Sequence, residues 1–571
     1  MKRDIDTWAN QSFDIVIIGG GINGSAVAWE AALRGYSVAL VERGDFGWAT
    51  SSNSAKIAHC GMRYLQHADL NRMKTSIRER INLVQNAPQL VDSLPFIMPV
   101  YGHGIKGKEA VATYLKVYDL LSRQKAQLSD PDRRVKNSGM LPPDDVLAIM
   151  PGISMEGLTG AGIWQEGQMH NTERLLLAYL KSANSQGAKI ANYADVTEIT
   201  HENNRVTGVK IDDLHGGNSI TVRAELVINA TGPWAVHSLL SEELRHSSTY
   251  GIHASKAFSL LTKSFTNSVA FTFPIKPMYA DKKALIDKGC SMQFAIPWRD
   301  STMVASLHLA CETDNPDNIS ITAEEISMYI ELINEGYPKA NLSHADIKNI
   351  LWGIIPAEEK GSAAPLKHHK IIDHQKTDDL SGLLTIVGVK YTTARDVAEE
   401  TIAIAEKSLE LRKTASTSAE RPLFGGDIAR ISEFQNEALI EYSPKVQNET
   451  VIRLTRTYGT EISAIMKLVE EHHELGEQIA DTGILRAEVI YAMRYESALT
   501  LADVILRRTQ MGSLERPSDI ALEDTASLMA NELHWSDAVK EKMISNIQDF
   551  YSERYRFLGL AKLSESGESP Q

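Results

Sequence analysis

The sequence predicts an α/β fold with a strand-rich middle and an all-α C-terminal unit, and three observations carry that prediction. A strand, a glycine turn, a helix and a second strand succeed one another within about thirty residues near the N-terminus, the span of one βαβ unit. Residues 250–310 are rich in short β-branched and aromatic runs. Beyond a polar stretch, Lys413–Pro422, apolar residues recur at helical spacing almost to the end of the chain.

Taken in order, Asp14–Ile18 is a short apolar run of the kind that forms a buried parallel strand. Ile22–Arg34 is rich in helix formers (Ala26, Ala28, Ala31, Ala32, Leu33), and Gly35 stands where a helix-terminating glycine belongs. Ser37–Val41 returns to strand character. Thr172–Gln186 and Ala323–Asn334 read as helices. Ala188–Thr200 and Val206–Ile211 read as strands either side of a polar Glu202-Asn203-Asn204 turn, and Ala224–Asn229 and Leu383–Val387 as buried strands. C-terminal helices are expected near 430–443, 449–457, 460–473, 485–508 and 536–553. A chain of 571 residues has room for about three domains.

Composition narrows the function classes. With 43% hydrophobic and 23% charged residues and a mean hydropathy of −0.21, the chain has the make-up of a water-soluble protein. No run approaches the roughly 18 apolar residues of a membrane span, and the N-terminus lacks the apolar core of a secretory signal. A net charge of −14 without a basic cluster argues against nucleic acid as a partner. The three cysteines, Cys60, Cys290 and Cys311, form no C-x-x-C pair, so neither a disulfide framework nor a metal site is expected, and a cytoplasmic location is.

The glycine turn reads Gly19-Gly20-Gly21-Ile22-Asn23-Gly24, a G-x-G-x-x-G between strand and helix. Gly19 permits the tight turn, Gly21 admits a pyrophosphate to the backbone, and Gly24 lets helix pack on strand, while the helix N-terminus supplies donors to the phosphates. Glu42, 18 residues beyond Gly24, is placed to bind a ribose diol. These signals predict a bound dinucleotide. Two further segments select FAD over NAD. Leu226–Trp234 carries a strand followed by Ala230-Thr231-Gly232, and Gly388-Val389-Lys390-Tyr391-Thr392-Thr393 follows the third apolar strand and opens a helix. A helix N-terminus there stabilises the N1–C2=O edge of a reduced flavin.

Together with Ala49–Leu65, Pro297-Trp298, Val387–Arg395 and the C-terminal run Glu488…Glu496…Asp503…Arg507-Arg508-Thr509, these segments resemble the FAD-dependent glycerol-3-phosphate dehydrogenase/oxidase family over nearly the whole chain. The resemblance implies a glutathione-reductase-like FAD-binding Rossmann domain at 12–95, 160–235 and 350–410. It also implies an antiparallel-sheet substrate domain at 96–159 and 236–349, a linker at 411–424, a helical C-terminal domain at 425–558 and a tail at 559–571. It implies oxidation of a CH–OH group by hydride transfer to flavin N5, with quinone or oxygen as the acceptor. It places Thr50, Ser51 and Ser52 along the FAD, with Lys56, Ala58 and His59 following on a helix past the flavin. Ile22, Asn23, Arg43 and Val196 join the cofactor surface. His59, Arg63 and Lys390 are the expected catalytic residues. Imidazole titrates nearest neutral pH and suits a base for the hydroxyl proton, and a guanidinium fork suits an anionic substrate group. A homodimer, and weak peripheral contact with the inner face of the membrane, are family expectations.

The substrate side departs from the family's pattern. Where the family has Lys-Gly-Ser-His, this chain has Lys256-Ala257-Phe258-Ser259; where it has Gly-Thr-Thr-Asp, this chain has Ser306-Leu307-His308-Leu309. The family's phosphate-gripping arginine becomes Ile355 in Gly353-Ile354-Ile355-Pro356-Ala357. Losing that charge-assisted contact forfeits about 2–5 kcal/mol, so a substrate other than glycerol 3-phosphate is expected, with Tyr64, Lys256, His308 and Ile355 as candidate contacts. An amine or amino-acid oxidase, and a flavin-binding sensor without turnover, are the competing readings.

Overall fold

A computed structural model describes residues 1–59, 61, 69–104, 107–123, 128–235, 252–266, 268–279, 291–409 and 413–558. The strand Ser12–Ile18 stands at the centre of a sheet whose parallel core runs in the order Leu383–Val387, Ser219–Asn229, Ser12–Ile18, Val38–Val41, Lys189–Ala191. Val16 and Ile17 are fully buried there, as a strand covered on both faces requires. The helix Ile22–Leu33 packs against helices Thr172–Ser185 and Ala394–Ser408. Its alanines let the three helix backbones approach closely, and its one buried acid, Glu30, is paired with Arg34 one turn on at 2.7 Å.

A second sheet stands over the carboxyl ends of the first. Its order is Ile347–Ala357, His253–Thr262, Ser301–Ala310, Ser291–Trp298, Ala270–Ile275, Val91–Tyr101, Leu158–Met169, Ile57–Ala58, and it is antiparallel except between Ala270–Ile275 and Val91–Tyr101. The boundaries therefore differ from those expected. Leu158–Met169 and Ile347–Ala357, assigned from 160 and 350 to the cofactor unit, belong to the roof, because their ladders pair with roof strands. Ile57–Ala58 is likewise an edge strand of the roof, not part of a helix, and Lys56 before it turns the chain at φ +56°.

The C-terminal unit is helical with its own core. The stretch expected as one helix over 485–508 is broken: Arg486–Glu496 ends at Ser497 in the left-handed region, and a capping box at Thr500 and Asp503 restarts it. Helix Asp519–Leu533 is not among the expected helices, because its buried stripe is mostly small (Ala521, Thr525, Ala526) and gives little apolar periodicity. The segment expected as a linker is anchored rather than free: Asn86 Nδ2 donates to Ser418 O and Ala419 O, and Leu423 N donates to Asn86 O. The tail, 559–571, lies outside the described residues.

Candidate active site

Between the carboxyl ends of the parallel strands and the roof lies a cavity of about 640 Å³. At one end the glycine turn forms its floor. Gly19 has φ +107°, and a Cβ there would lie 2.6 Å from Ala230 O; a Cβ on Gly24 would lie 2.0 Å from Gly19 O. Gly21 is the helix N-cap and has no side chain to occupy the space above it. Glu42 directly follows the neighbouring strand and is buried. Its carboxylate accepts from Gly20 N at 2.7 Å, Gly44 N at 2.8 Å and Trp48 Nε1 at 3.0 Å. Burial raises its carboxyl above the ordinary range, and the three donors oppose that rise. Arg43 lies over the Trp234 ring at 4.4 Å, and Trp48 stacks obliquely on Trp234 at 5.5 Å.

Two features show that the pocket is shaped for a group other than protein. Asn23 lines the cavity, and its buried Oδ1 has no hydrogen-bond partner among the described residues. A Cβ on Gly388 would lie 2.1 Å from Asn23 Nδ2, so glycine there lets the 387–391 loop close over the turn. An orphaned acceptor and a floor kept free of side chains fit a dinucleotide at this site.

The roof closes the other end. Thr50 Oγ1 donates to Ile354 O at 3.0 Å, and a Cβ on Gly353 would come within 3.1–3.2 Å of Thr50. Thr50→Val, which deletes this cross-link, is expected to lower the unfolding free energy by about 1 kcal/mol in a urea titration. No change in the unfolding midpoint would count against it. Ala257 pairs with His308 on one side and Gly353 on the other, and Ser255, two residues away, pairs with Ile355. Directly opposed residues share a sheet face, so His308 and Ile355 both look into the cavity, which they line. Arg72 and Lys390 line it from below, and Lys390 Nζ donates to Ser76 Oγ at 3.3 Å.

Most of the residues expected at the cofactor reach the cavity wall. Gly19, Gly21, Ile22 and Asn23 do so from the turn, Glu42, Arg43, Thr50 and Ser51 from the loop after the second strand, and Val196 from its neighbour. Ala230, Thr231 and Gly232 follow from the third segment, and Gly388, Lys390 and Tyr391 from the fourth. Gly24, Ser52, Ala58 and Thr392 are not on the wall. Lys56 is buried and does not line the cavity: its ammonium donates to Ser52 O at 2.7 Å, Thr172 Oγ1 at 2.8 Å and Glu173 Oε1 at 2.6 Å. Lys256 points away from the cavity and pairs with Glu325 at 2.7 Å, tying the roof to the helix Ala323–Gly336. His59 is not on the wall either. Its ring packs on Phe294 at 5.4 Å, and Nδ1 lies 3.9 Å from Glu166 Oε1. Arg63, Tyr64 and Cys60 lie outside the described residues. The wall also holds residues that the sequence did not single out: Trp48, Arg72, Ser306 and a His253–Asp314 pair at 3.2 Å. No motif marks them: His253 and Ser306 come in on roof strands, Asp314 follows one, Trp48 lies in the loop after the second strand and Arg72 on the helix Leu70–Asn86.

Residues 14–388 match the FAD dependent oxidoreductase family, and residues 416–540 match the C-terminal domain of alpha-glycerophosphate oxidase. Glycerol-3-phosphate dehydrogenase from Synechocystis is 28% identical over 570 residues, covering 96% of this chain and 98% of that protein. The mitochondrial enzyme from Bos taurus is 30% identical over 596 residues, covering 96% of this chain and 74% of that one. The fold matches the crystal structure of glycerol-3-phosphate dehydrogenase from Bacillus halodurans complexed with FAD, at a TM-score of 0.74, 23% identity and 96% coverage of both chains. A glycine floor beneath an orphaned acceptor, an antiparallel roof and a helical C-terminal unit thus meet in one chain because it belongs to the FAD-dependent glycerol-3-phosphate dehydrogenase/oxidase family, oxidoreductases acting on a CH–OH donor.

Proposed function

We propose that this oxidoreductase acts on a small hydroxylated compound whose far end carries no phosphate, and that quinone or oxygen takes the electrons. The carrying observation is the chemistry of the roof. Among the described residues, the strands bearing Ala257, His308 and Ile355 present no lysine or arginine to the cavity. A phosphate dianion would have to leave water with an apolar isoleucine facing it, at a cost of several kcal/mol.

Gly19–Asn23, Glu42, Arg43, Thr50, Ser51, Thr231, Gly232 and Gly388 are the residues that would hold FAD. Bound FAD supplies the hydride acceptor. His308, on the roof face, hydrogen-bonds the substrate hydroxyl and receives its proton as the C–H bond breaks. Lys390 and Arg72, on the opposite wall, give the pocket the only cations it draws from the described residues beside the floor loop, and they favour an electron-rich substrate end. The family match extends through the C-terminal unit, which supports hydroxyl oxidation over amine oxidation and over a sensor without turnover. No helix among the described residues is long and apolar enough to cross a membrane. We place the protein in the cytoplasm, with peripheral contact at the membrane's inner face for quinone access, as a homodimer.

Anaerobic bleaching of the flavin band tests the reading. A neutral polyol or hydroxy acid is expected to bleach the protein at concentrations roughly two decades below those of glycerol 3-phosphate. Ile355→Arg is expected to reverse the order. Full bleaching of the unmodified protein by low-millimolar glycerol 3-phosphate overturns the substrate assignment. A His308→Ala variant with an unchanged reduction rate removes the role given to that side chain.

A further inference from the structure

The loop after the second strand supplies Glu42, Arg43, Gly47, Trp48, Thr50 and Ser51 to the cavity, yet its one fully buried acid points the other way. Asp45 is held by the C-terminal domain. Arg508 meets it with both terminal nitrogens at 2.7 Å, Arg507 donates to it through Nε, and Asn192 Nδ2 adds a bond at 3.1 Å while also donating to Ser497 O. Both arginines sit on a π-helical turn, Val504–Arg508, and Arg507 is braced at 2.8 Å by Asp503, the residue just before that turn. Burial alone would raise the Asp45 carboxyl, but the two guanidiniums outweigh it and hold it ionised well below the ordinary range.

The contact continues inward. Phe46, the next residue, lies 5.9 Å from the Arg508 guanidinium and packs on the glycine turn, where a Cβ on Gly20 would come within 2.8 Å of its ring. Gly20 N donates to Glu42, and Gly47 N donates to Gly20 O at 3.1 Å. Two steps therefore separate the π-turn from the floor of the cofactor cavity.

We propose that Asp45 and Phe46 are positioning residues of the FAD site, through which the docked C-terminal domain sets the shape of the cofactor floor and so the affinity for FAD. The inference rests on the assignment of this floor to FAD, and it gives a role to a domain that contributes no residue to the cavity wall among the described residues. An uncompensated buried arginine pair destabilises a protein by itself, so the test separates affinity from stability. The FAD dissociation constant of the full chain is measured by flavin fluorescence, beside the apoprotein melting temperature, for Asp45→Asn, Arg508→Lys, Phe46→Ala, Glu42→Gln and Arg453→Gln. The last breaks a partly buried pair with Glu488 (2.8 Å) that lies within the C-terminal domain. Asp45→Asn and Phe46→Ala are expected to weaken FAD binding at least about tenfold. Arg453→Gln is expected to lower the melting temperature while leaving affinity within about twofold, as for a change with no path to the floor. Phe46→Ala removes no charge, so it remains informative if Asp45→Asn fails to fold. If Glu42→Gln weakens binding and both loop variants leave it unchanged, the positioning role is overturned and the cofactor site stands. If Glu42→Gln also leaves binding unchanged, the site assignment falls, and this inference with it.

Discussion

Gly24→Ala is expected to yield a protein that purifies without flavin colour. The new methyl group would sit 2.0 Å from Gly19 O, against an ordinary contact of about 3.5 Å or more. Relief requires the helix Ile22–Leu33 to move off the strand Ser12–Ile18. The helix cannot retreat cheaply, because Ala26, Ala28 and Ala31 are at most 1% exposed and pack on neighbouring helices. Overpacking of this kind costs about 1–3 kcal/mol and more when backbone must shift. That cost falls on the turn proposed to hold the cofactor phosphates through its N–H groups, so affinity is expected to suffer before the fold does. The measurement is the ratio of flavin to protein absorbance after purification, with circular dichroism to confirm that secondary structure survives. One FAD per chain in the variant would show that the turn tolerates a side chain, and Gly24 would then lose its role in helix–strand packing.

The second large effect is expected from Glu496→Gln. Glu496 is fully buried, and it accepts from Arg174 Nη1 at 2.6 Å while lying 3.5 Å from Lys181 Nζ. Burial alone would raise its carboxyl, but the Arg174 guanidinium and the Lys181 ammonium overcome that and bring it from 4.5 down to about 2. Removing the charge strands Arg174, whose ring partner Tyr458 at 4.3 Å cannot neutralise it, and breaking a buried pair costs about 3–5 kcal/mol. The sign of the pH dependence follows from the depressed value. The contribution is complete above the unfolded value of 4.5 and is lost as pH falls through about 2. Urea midpoints of the parent and the variant should therefore lie far apart at neutral pH and converge on acidification. A gap that stays constant from neutrality to acid would mean that Glu496 does not carry this stability.

Gly19, Gly21 and Gly24 are legible from their spacing between strand and helix, although only Gly24 answers to a residue of the same βαβ unit, Gly19, while a Cβ on Gly19 would meet Ala230. The family resemblance places Lys56 and His59 on a helix past the flavin. Lys56 pairs with Glu173, 117 residues away, and the His59 ring packs on Phe294, because the segment after Ser54 becomes an edge strand of the roof rather than a helix. Helix Asp519–Leu533 is less legible for another reason: three of its five buried residues, Ala521, Thr525 and Ala526, are small and weaken its hydropathy periodicity.

The sequence by itself determined the cofactor turn, the acid that follows it and the change of chemistry at Ile355, since these depend on backbone conformation and residue type over a few positions. Only the tertiary structure decided that His308 shares a face with Ile355, and that Arg508 reaches Asp45 across 463 residues of chain. Strand register and the pairing of buried charges are settled by burial summed over the whole molecule. A local pattern does not carry that sum, and the folded chain does.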